Sequence, residues 1–140
     1  MNKHIAIISF HTCPLASQEG KESGGMNVYV LEIARSLVTH GYKVDIFTRI
    51  QDVISPEIVD YEPNLRVIHL KAGPKRHIDK KKLIFFIDEF TSQLHLYITK
   101  NSLDYSIFDC HYYLSGMVAY TYNKKYQTLI PYTVNFHTLA

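Results

Sequence analysis

Apolar residues in this chain fall alternately into short continuous runs and longer stretches with helical spacing. The run at 3–9 is rich in isoleucine and lacks polar alternation, which predicts a strand buried on both faces. A helix is predicted over 26–40, ended by Gly41 as a left-handed cap, and a second strand over 42–48. The inward positions predicted for this helix are Val28, Leu31, Ala34, Leu37 and Val38. The order is a βαβ unit.

The same alternation continues to the end of the chain. The polar segment 51–63 contains Pro56 and Pro63, which favours loop or edge structure. Asp79 is a plausible amino-terminal cap for one long helix. Further strands are predicted over 66–70, 106–110 and 129–134, and further helices over 79–99 and 111–125. The predicted inward positions of the last helix are Leu114, Met117, Val118 and Tyr122.

Alternating strands and helices predict an α/β fold: a Rossmann-like, doubly wound, mostly parallel sheet with helices on both faces. The length of 140 residues corresponds to a single domain, 1–140. Right-handed crossovers place the strand at 3–9 beside the strand at 106–110, with the switch point between them. Ligands bind such sheets at the carboxyl ends of the strands, so we expect a site there.

The segment between the first strand and the first helix ends in Gly24 and Gly25. The first amides of a helix have no partners within it, and the helix dipole makes that end partly positive. Glycines at such a position let a phosphate approach the backbone. The pattern therefore predicts an anion site, although a glycine pair is equally compatible with a plain turn.

Donor-rich side chains follow several of the predicted strands. His11 follows the first strand, His111 and Tyr112 follow the fourth, and His137 and Thr138 follow the fifth. A single histidine at a strand end is more often structural than a ligand contact. The chain also has 11 tyrosines, so one of them at any position is weak evidence. The recurrence at one sheet edge is what points to a site.

Composition limits the classes of function. With 46% hydrophobic and 20% charged residues and a net charge of +2, nothing argues for nucleic acid or membrane as a partner. The cluster Lys75, Arg76 and 80–82 is typical of a solvated face. No signal peptide or membrane span is expected, and the two cysteines, Cys13 and Cys110, form no disulfide framework. We therefore expect a cytoplasmic protein.

Several common chemistries have no sequence support. The dinucleotide and P-loop fingerprints are both missing, as is the nucleophile elbow of a hydrolase. Five soft ligands could meet around a metal ion, but none of the usual zinc spacings links them, and we expect no metal. They are His11, Cys13, Cys110, His111 and His137.

Five sequence blocks carry a resemblance to a known family. They read H-T-x-P-L…G-G-M-N-V-Y-V, V-D-I-F-T-R, L-K-A-G-P with D-K-K-K-L, D-C-H-Y-Y-L-S-G and V-N-F-H-T-L-A. In order and separation they resemble the amino-terminal domain of retaining glycosyltransferases of family 4. The nearest branch is that of inositol-phosphate N-acetylglucosaminyltransferases and sucrose-phosphate synthases. Two departures are Asp109, where the family often has histidine, and the bulky Phe136.

The resemblance implies a GT-B fold, in which two Rossmann-like domains enclose the reaction and the first mainly binds the acceptor. It implies that His137 is the catalytic-site residue nearest the transferred sugar. The implied donor-side residues are Gly24, Gly25 and His11. The implied acceptor-binding residues are Asn27, Lys80, His111, Tyr112 and Thr138, with Lys81 or Lys82 as alternatives to Lys80.

The implied reaction moves a hexosyl or N-acetylhexosaminyl group from a nucleotide sugar to a phosphorylated polyol or sugar, without a metal or other cofactor. The sequence lacks the family's carboxy-terminal donor-binding domain, so we expect the chain alone to be inactive. The alternative is a stand-alone, non-catalytic module that binds sugar phosphates or acts as a scaffold. An incomplete sheet also predicts self-association through an exposed edge.

Overall fold

The computed structural model describes residues 3–17 and 25–137, which form one six-stranded sheet flanked by helices. The strands are β1 (His4–Ile8), β2 (Lys43–Arg49), β3 (Ile58–Glu62), β4 (Leu65–Leu70), β5 (Ile107–His111) and β6 (Tyr132–Asn135). The helices are α1 (Gly25–Thr39), α2 (Lys80–Leu83), α3 (Ile87–Lys100) and α4 (Tyr113–Tyr126). Short 3-10 turns cover Pro14–Ser17 and Ile84–Phe86.

The strand order is β3-β4-β2-β1-β5-β6, and every neighbouring pair is parallel except β3 with β4. The predicted adjacency of the first strand and the strand near 106–110 is confirmed, because Ile5 of β1 pairs with Ile107 of β5. The chain winds outward in both directions from this pair. The segment predicted as loop or edge contains β3, an edge strand antiparallel to its neighbour.

Apolar side chains on the two sheet faces form two separate clusters. On one face, α1 contributes Val30 and Ala34 to a cluster with β1, β2 and β4. On the other face, α3 and α4 contribute residues such as Phe90 and Val118, which pack with the opposite side chains of the same strands. Helices therefore cover both faces, and the predicted doubly wound α/β class is confirmed.

The long helix predicted over 79–99 is interrupted. Asp79 caps α2 as predicted, its carboxylate accepting from the Lys81 amide at 3.0 Å, but a 3-10 turn over Ile84–Phe86 separates α2 from α3. The interruption positions the Phe86 ring directly against Gly73. Helical periodicity in the sequence remains intact across this break, which explains why the pattern did not show it.

Three local predictions of burial or boundary are wrong. Val28 is 53% exposed and Met117 36% exposed, because each lies beside the buried stripe of its helix rather than within it. The last strand begins at Tyr132 instead of residue 129, and Leu129 is almost fully exposed in the segment that precedes the strand. Gly41 has a φ of +92°, as its predicted role as a left-handed cap requires.

The strand β6 is an edge of the sheet within the described ranges. It pairs with β5 through four residues, and its Tyr132 and Thr133 are exposed. Unpaired backbone groups on such an edge favour pairing with another chain. Self-association through this edge stays a prediction, which sedimentation over a range of protein concentrations would test.

Candidate active site at the carboxyl edge of the sheet

The carboxyl ends of β1, β5 and β6 bring the sequence-predicted histidines to one edge. His11 lies three residues beyond β1, His111 is the last residue of β5, and His137 lies two residues beyond β6. Because these three strands are neighbours and parallel, their ends lie side by side. The residues group into two contacts there, one around Tyr112 and one around His111.

The first contact joins His11 to Tyr112, with ring centroids 4.4 Å apart. The His11 Nδ1 atom is buried and has no hydrogen-bond partner among the described residues. Burial, with the positive charge of Lys80 and the nearby His137, lowers the pKa of His11 from 6.5 to about 4. His11 is therefore neutral at pH 7, and its Nδ1 is a buried polar atom without a partner among the described residues.

Tyr112 has a backbone conformation that residues other than glycine rarely adopt. Its φ is 77° and its ψ 154°, a region populated mainly by glycine. Its amide donates to the Asn135 carbonyl at 2.7 Å, and its own carbonyl accepts from the Ser115 amide at 3.1 Å. Strain of this kind costs about 1–3 kcal/mol and persists where the surroundings fix it, often at functional sites. Here it aims the ring at His11.

Of the three consecutive lysines, Lys80 is the one beside this pair. Its Nζ lies 5.4 Å from the Tyr112 ring centroid, a cation–π distance. Lys82 instead lines a hollow of about 350 Å³ with Phe85 and Phe86. The geometry therefore favours Lys80 as the cation of the candidate site.

The loop that leads to Lys80 is held by Arg49, a residue that the sequence reasoning missed. Arg49 is 1% exposed at the end of β2. Its guanidinium donates to the carbonyls of Ala72 at 3.1 Å, Pro74 at 2.9 Å and Arg76 at 2.7 Å. Burial and the charge of Arg76 lower the pKa of Arg49. A charged residue at the end of a buried strand was the signal available in the sequence.

The second contact is a chain of hydrogen bonds through His111. Its Nδ1 lies 2.9 Å from His137 Nε2, and its Nε2 lies 3.0 Å from Asp109 Oδ2. The Tyr29 ring from α1 meets both imidazoles edge to face, at 5.9 Å from the His111 centroid and 5.4 Å from that of His137. The sequence reasoning proposed the two histidines but not Asp109 or Tyr29 as site residues.

The start of α1 supplies the remaining described candidates. Gly25 is the first helical residue, and a Cβ added to it would meet no atom of the described residues within 4 Å. Asn27 is 2% exposed, and its Oδ1 has no hydrogen-bond partner among the described residues. Gly24 and Thr138 lie outside the described ranges.

Across 3–17 and 25–137, no group of three or more His, Cys, Asp or Glu side chains is arranged to hold a metal ion. None of the helices in the same ranges is both long and apolar enough to span a membrane.

Comparison with known proteins assigns this chain to a family. The profile of Glycosyltransferase Family 4 matches residues 23–140. A D-inositol 3-phosphate glycosyltransferase from Corynebacterium aurimucosum is 40% identical over 97% of the chain, and one from Xylanimonas cellulosilytica is 36% identical over 97%. The chain spans 32% of the length of each of these relatives.

Solved structures show the same fold. Sucrose-phosphate synthase from Thermosynechococcus elongatus matches 99% of the chain at a TM-score of 0.84 and 31% identity, and the match covers 34% of that protein. The catalytic domain of starch synthase IV from Arabidopsis thaliana matches 96% of the chain and 33% of its own length, at a TM-score of 0.68. Its identity of 14% supports the fold alone.

Proposed function

The chain belongs to glycosyltransferase family 4, and from that premise we propose that it is the acceptor-side part of a retaining transferase. The reaction we propose moves a hexosyl or N-acetylhexosaminyl group from a nucleotide sugar to a phosphorylated polyol or sugar. The single observation that carries the acceptor assignment is the approach of Lys80 to the Tyr112 ring at this edge of the sheet, where Tyr112 also contacts the donor-side residue His11.

The acceptor phosphate is assigned to Lys80 and Tyr112, with Thr138 as a third donor. A phosphate dianion is bound best by a cation together with several hydrogen-bond donors, because charge-assisted hydrogen bonds are the strong ones. The cation of Lys80 lies 5.4 Å from the centre of the Tyr112 ring. This arrangement has the donor chemistry that a phosphorylated acceptor needs.

The donor diphosphate is assigned to the start of α1. The Gly25 amide belongs to the first turn of a 15-residue helix, where backbone N–H groups and the helix dipole favour an anion. Gly24 precedes it, and the lack of a side chain at Gly25 lets a ligand approach the backbone. Negative charge that develops on the leaving diphosphate would be stabilised there. His137 is assigned to the transferred sugar, and the proposal includes no metal or other cofactor.

Calorimetric titration with inositol phosphate tests the acceptor site. We expect saturable binding to the 140-residue chain, weakened at least about tenfold in Lys80→Ala, because a charge-assisted hydrogen bond to phosphate contributes about 1.5–3 kcal/mol. Lys81→Ala is the matched control: it removes an equal charge one residue away and should change the affinity little. Equal losses of affinity in both variants would mean that inositol phosphate is held by general electrostatic attraction and not by a specific contact with Lys80.

A transfer assay tests whether this acceptor-side chain can catalyse sugar transfer by itself. We expect the chain alone to show no appreciable transfer from a nucleotide sugar to a sugar phosphate, because an acceptor site by itself does not hold the donor in reacting geometry. Transfer by the 140-residue polypeptide would contradict this part of the proposal. A failure to bind any sugar phosphate would contradict the acceptor assignment itself.

A further inference from the structure

The hydrogen-bonded chain from Asp109 through His111 to His137 has a consequence for the chemistry that His137 can offer. We propose that Asp109 is a positioning residue that sets, through His111, which ring nitrogen of His137 carries the proton. The relevance of this effect to sugar transfer rests on the proposed function. The protonation pattern itself follows from the geometry and can be observed without transfer.

The first step is the contact between Asp109 and His111. The Asp109 Oδ2 atom lies 3.0 Å from His111 Nε2, while Oδ1 accepts a hydrogen bond from the Thr133 hydroxyl at 2.9 Å. Burial raises the pKa of Asp109, but the hydrogen bonds that its carboxylate accepts from His111 and the Thr133 hydroxyl outweigh it and leave the pKa below its usual value. An ionised carboxylate only accepts hydrogen bonds, so His111 Nε2 must carry a proton.

In the second step, the position of the proton on His111 determines which nitrogen of His137 is protonated. A neutral imidazole has one donor nitrogen and one acceptor nitrogen. With its proton on Nε2, His111 presents Nδ1 as an acceptor, and the atom 2.9 Å away is His137 Nε2, which must then donate. His111 is 2% exposed, so water has little access to replace either contact. When both rings are neutral, each histidine is therefore held in the Nε2-protonated tautomer.

In the third step, contacts of the backbone and ring of His137 restrict the orientation of its imidazole. Its backbone amide donates to the Asn135 side chain at 3.0 Å, its φ is 52°, and the Tyr29 ring packs edge to face against it. Burial is the main cause that lowers the pKa of His137, against the charge of Asp109, which raises it, and the net lowering favours the neutral ring. The remaining nitrogen, Nδ1, makes no hydrogen bond within 3–17 or 25–137. It is thus an acceptor, suited to a sugar hydroxyl that donates.

Two-bond ¹H–¹⁵N correlation spectra of the ¹⁵N-labelled chain measure the tautomer of each histidine. In the unaltered protein at pH 7.5 we expect His111 and His137 each to show a protonated Nε2 and an unprotonated Nδ1. His111→Gln and His137→Gln identify the signals. A His137 ring protonated at Nδ1, or averaged between the tautomers, in the unaltered protein would overturn the proposal whatever the variants do.

The variants separate positioning from structural support. Asp109→Asn introduces an amide that can donate to His111 Nε2, so we expect loss of the single-tautomer pattern at His137. Asp109→Glu keeps a carboxylate and should retain the pattern. Thr133→Val removes the other hydrogen bond to Asp109 without touching either ring and should also retain it. An unchanged His137 tautomer in Asp109→Asn would contradict the proposal. None of these readouts depends on transfer or on acceptor binding, so they stand apart from the test of the proposed function.

Discussion

The environment of His11 couples the candidate site to the stability of the fold. Its ring packs against that of Tyr112 in a tilted arrangement and its Nδ1 is buried, so the protonated form is disfavoured in the folded protein. Burial, Lys80 and His137 lower its pKa from 6.5 to about 4. The unfolded chain therefore binds this proton more readily than the folded one whenever the pH lies between those values.

From this difference we expect the free energy of unfolding to fall as the pH is lowered from 6.5 towards 4. The contribution of His11 is present above its unfolded pKa and amounts to at most about 3 kcal/mol, by the conversion of about 1.4 kcal/mol per pKa unit. His137, whose pKa is also lowered by burial, acts in the same direction.

Urea denaturation at pH 7.5 and pH 4.5 measures this effect. His11→Gln removes the titrating ring, so its stability should change less between the two pH values than that of the unaltered protein. An identical pH dependence in His11→Gln would refute the assignment.

The two cysteines differ in their exposure and in the contacts of their sulfur atoms. Cys13 is partly exposed, and its Sγ lies 3.3 Å from His69 Nε2, while His69 Nδ1 lies 2.9 Å from the Pro56 carbonyl. That carbonyl accepts only, so Nδ1 carries the proton and Nε2 can accept from the thiol of Cys13. Cys110 is fully buried in β5, and burial together with Asp109 raises its pKa.

In the folded protein at pH 7.5 we expect iodoacetamide to alkylate Cys13 at least about tenfold faster than Cys110, because the thiolate is the reactive form and burial suppresses it. Mass spectrometry of peptides over time measures both rates. Cys13→Ser should take up almost no label until urea is added. Faster labelling of Cys110 in the native protein would contradict its burial, and His69→Gln should slow the reaction of Cys13.

The loop between β4 and α2 shows how elements position the candidate site. Arg49 at the end of β2 binds three of its carbonyls, and the Glu89 carboxylate of α3 accepts from the Gly73 amide at 2.8 Å. Gly73 has a φ of +73°, and the Phe86 ring lies against it. This loop leads to Lys80, so its conformation determines where that cation stands.

We expect Gly73→Ala to lower the free energy of unfolding by about 2–4 kcal/mol, because an added Cβ is strained at positive φ and also overpacks the core. That Cβ would lie 2.7 Å from the Phe86 ring. Gly41→Ala is the matched control: φ is +92° there and the nearest atom, the end of Lys3, is 3.8 Å away. It should cost only about 1 kcal/mol, from backbone strain alone.

Urea unfolding of the two alanine variants compares these costs directly. A loss at Gly73 no greater than that at Gly41 would show that Phe86 moves aside easily. Phosphate binding should also weaken in Gly73→Ala and stay normal in Gly41→Ala, because only the first glycine belongs to the loop that carries Lys80.

At the scale of the molecule, the end of the sheet where the parallel strands begin and the end where they finish have different roles. The edge where the strands begin holds Asp45, which is fully buried in β2. Arg66 of β4 donates to it twice, at 2.8 and 2.9 Å, Tyr105 donates at 2.5 Å, and His4 of β1 lies at 2.8 Å. Burial raises the pKa of Asp45, but the hydrogen bonds of Arg66 and Tyr105 outweigh it and lower the pKa overall.

This network ties β1, β2, β4 and the segment before β5 together, so we expect Asp45→Asn to destabilise the protein by about 3 kcal/mol, since breaking a buried pair leaves the partner uncompensated. Glu62→Gln removes a carboxylate from Arg35 in a partly exposed pair and should destabilise the protein far less, because solvent screens such a pair. Thermal unfolding of both variants measures the difference. Equal losses would mean that the buried network adds nothing beyond a surface pair.

Sequence pattern was sufficient for most of the fold and for the outline of the candidate site. It predicted the strand order around β1 and β5 and placed His11, His111 and His137 at the same edge. It did not predict the break before α3 or the exposure of Val28 and Met117. Periodicity identifies a helix and its apolar side, but the extent of the stripe that is buried depends on what packs against it.

By itself, then, the sequence determined the alternation of elements, the cap at Asp79 and the edge at which polar side chains gather, because these depend on neighbours along the chain and on the common direction of parallel strands. Only the tertiary structure decided which of those side chains touch. The Phe10 amide donates to the Ser115 hydroxyl across 105 residues, and Asp109 reaches His137 only through His111. Such contacts depend on strand register and backbone geometry, including the strained φ of Tyr112, and local pattern does not encode them.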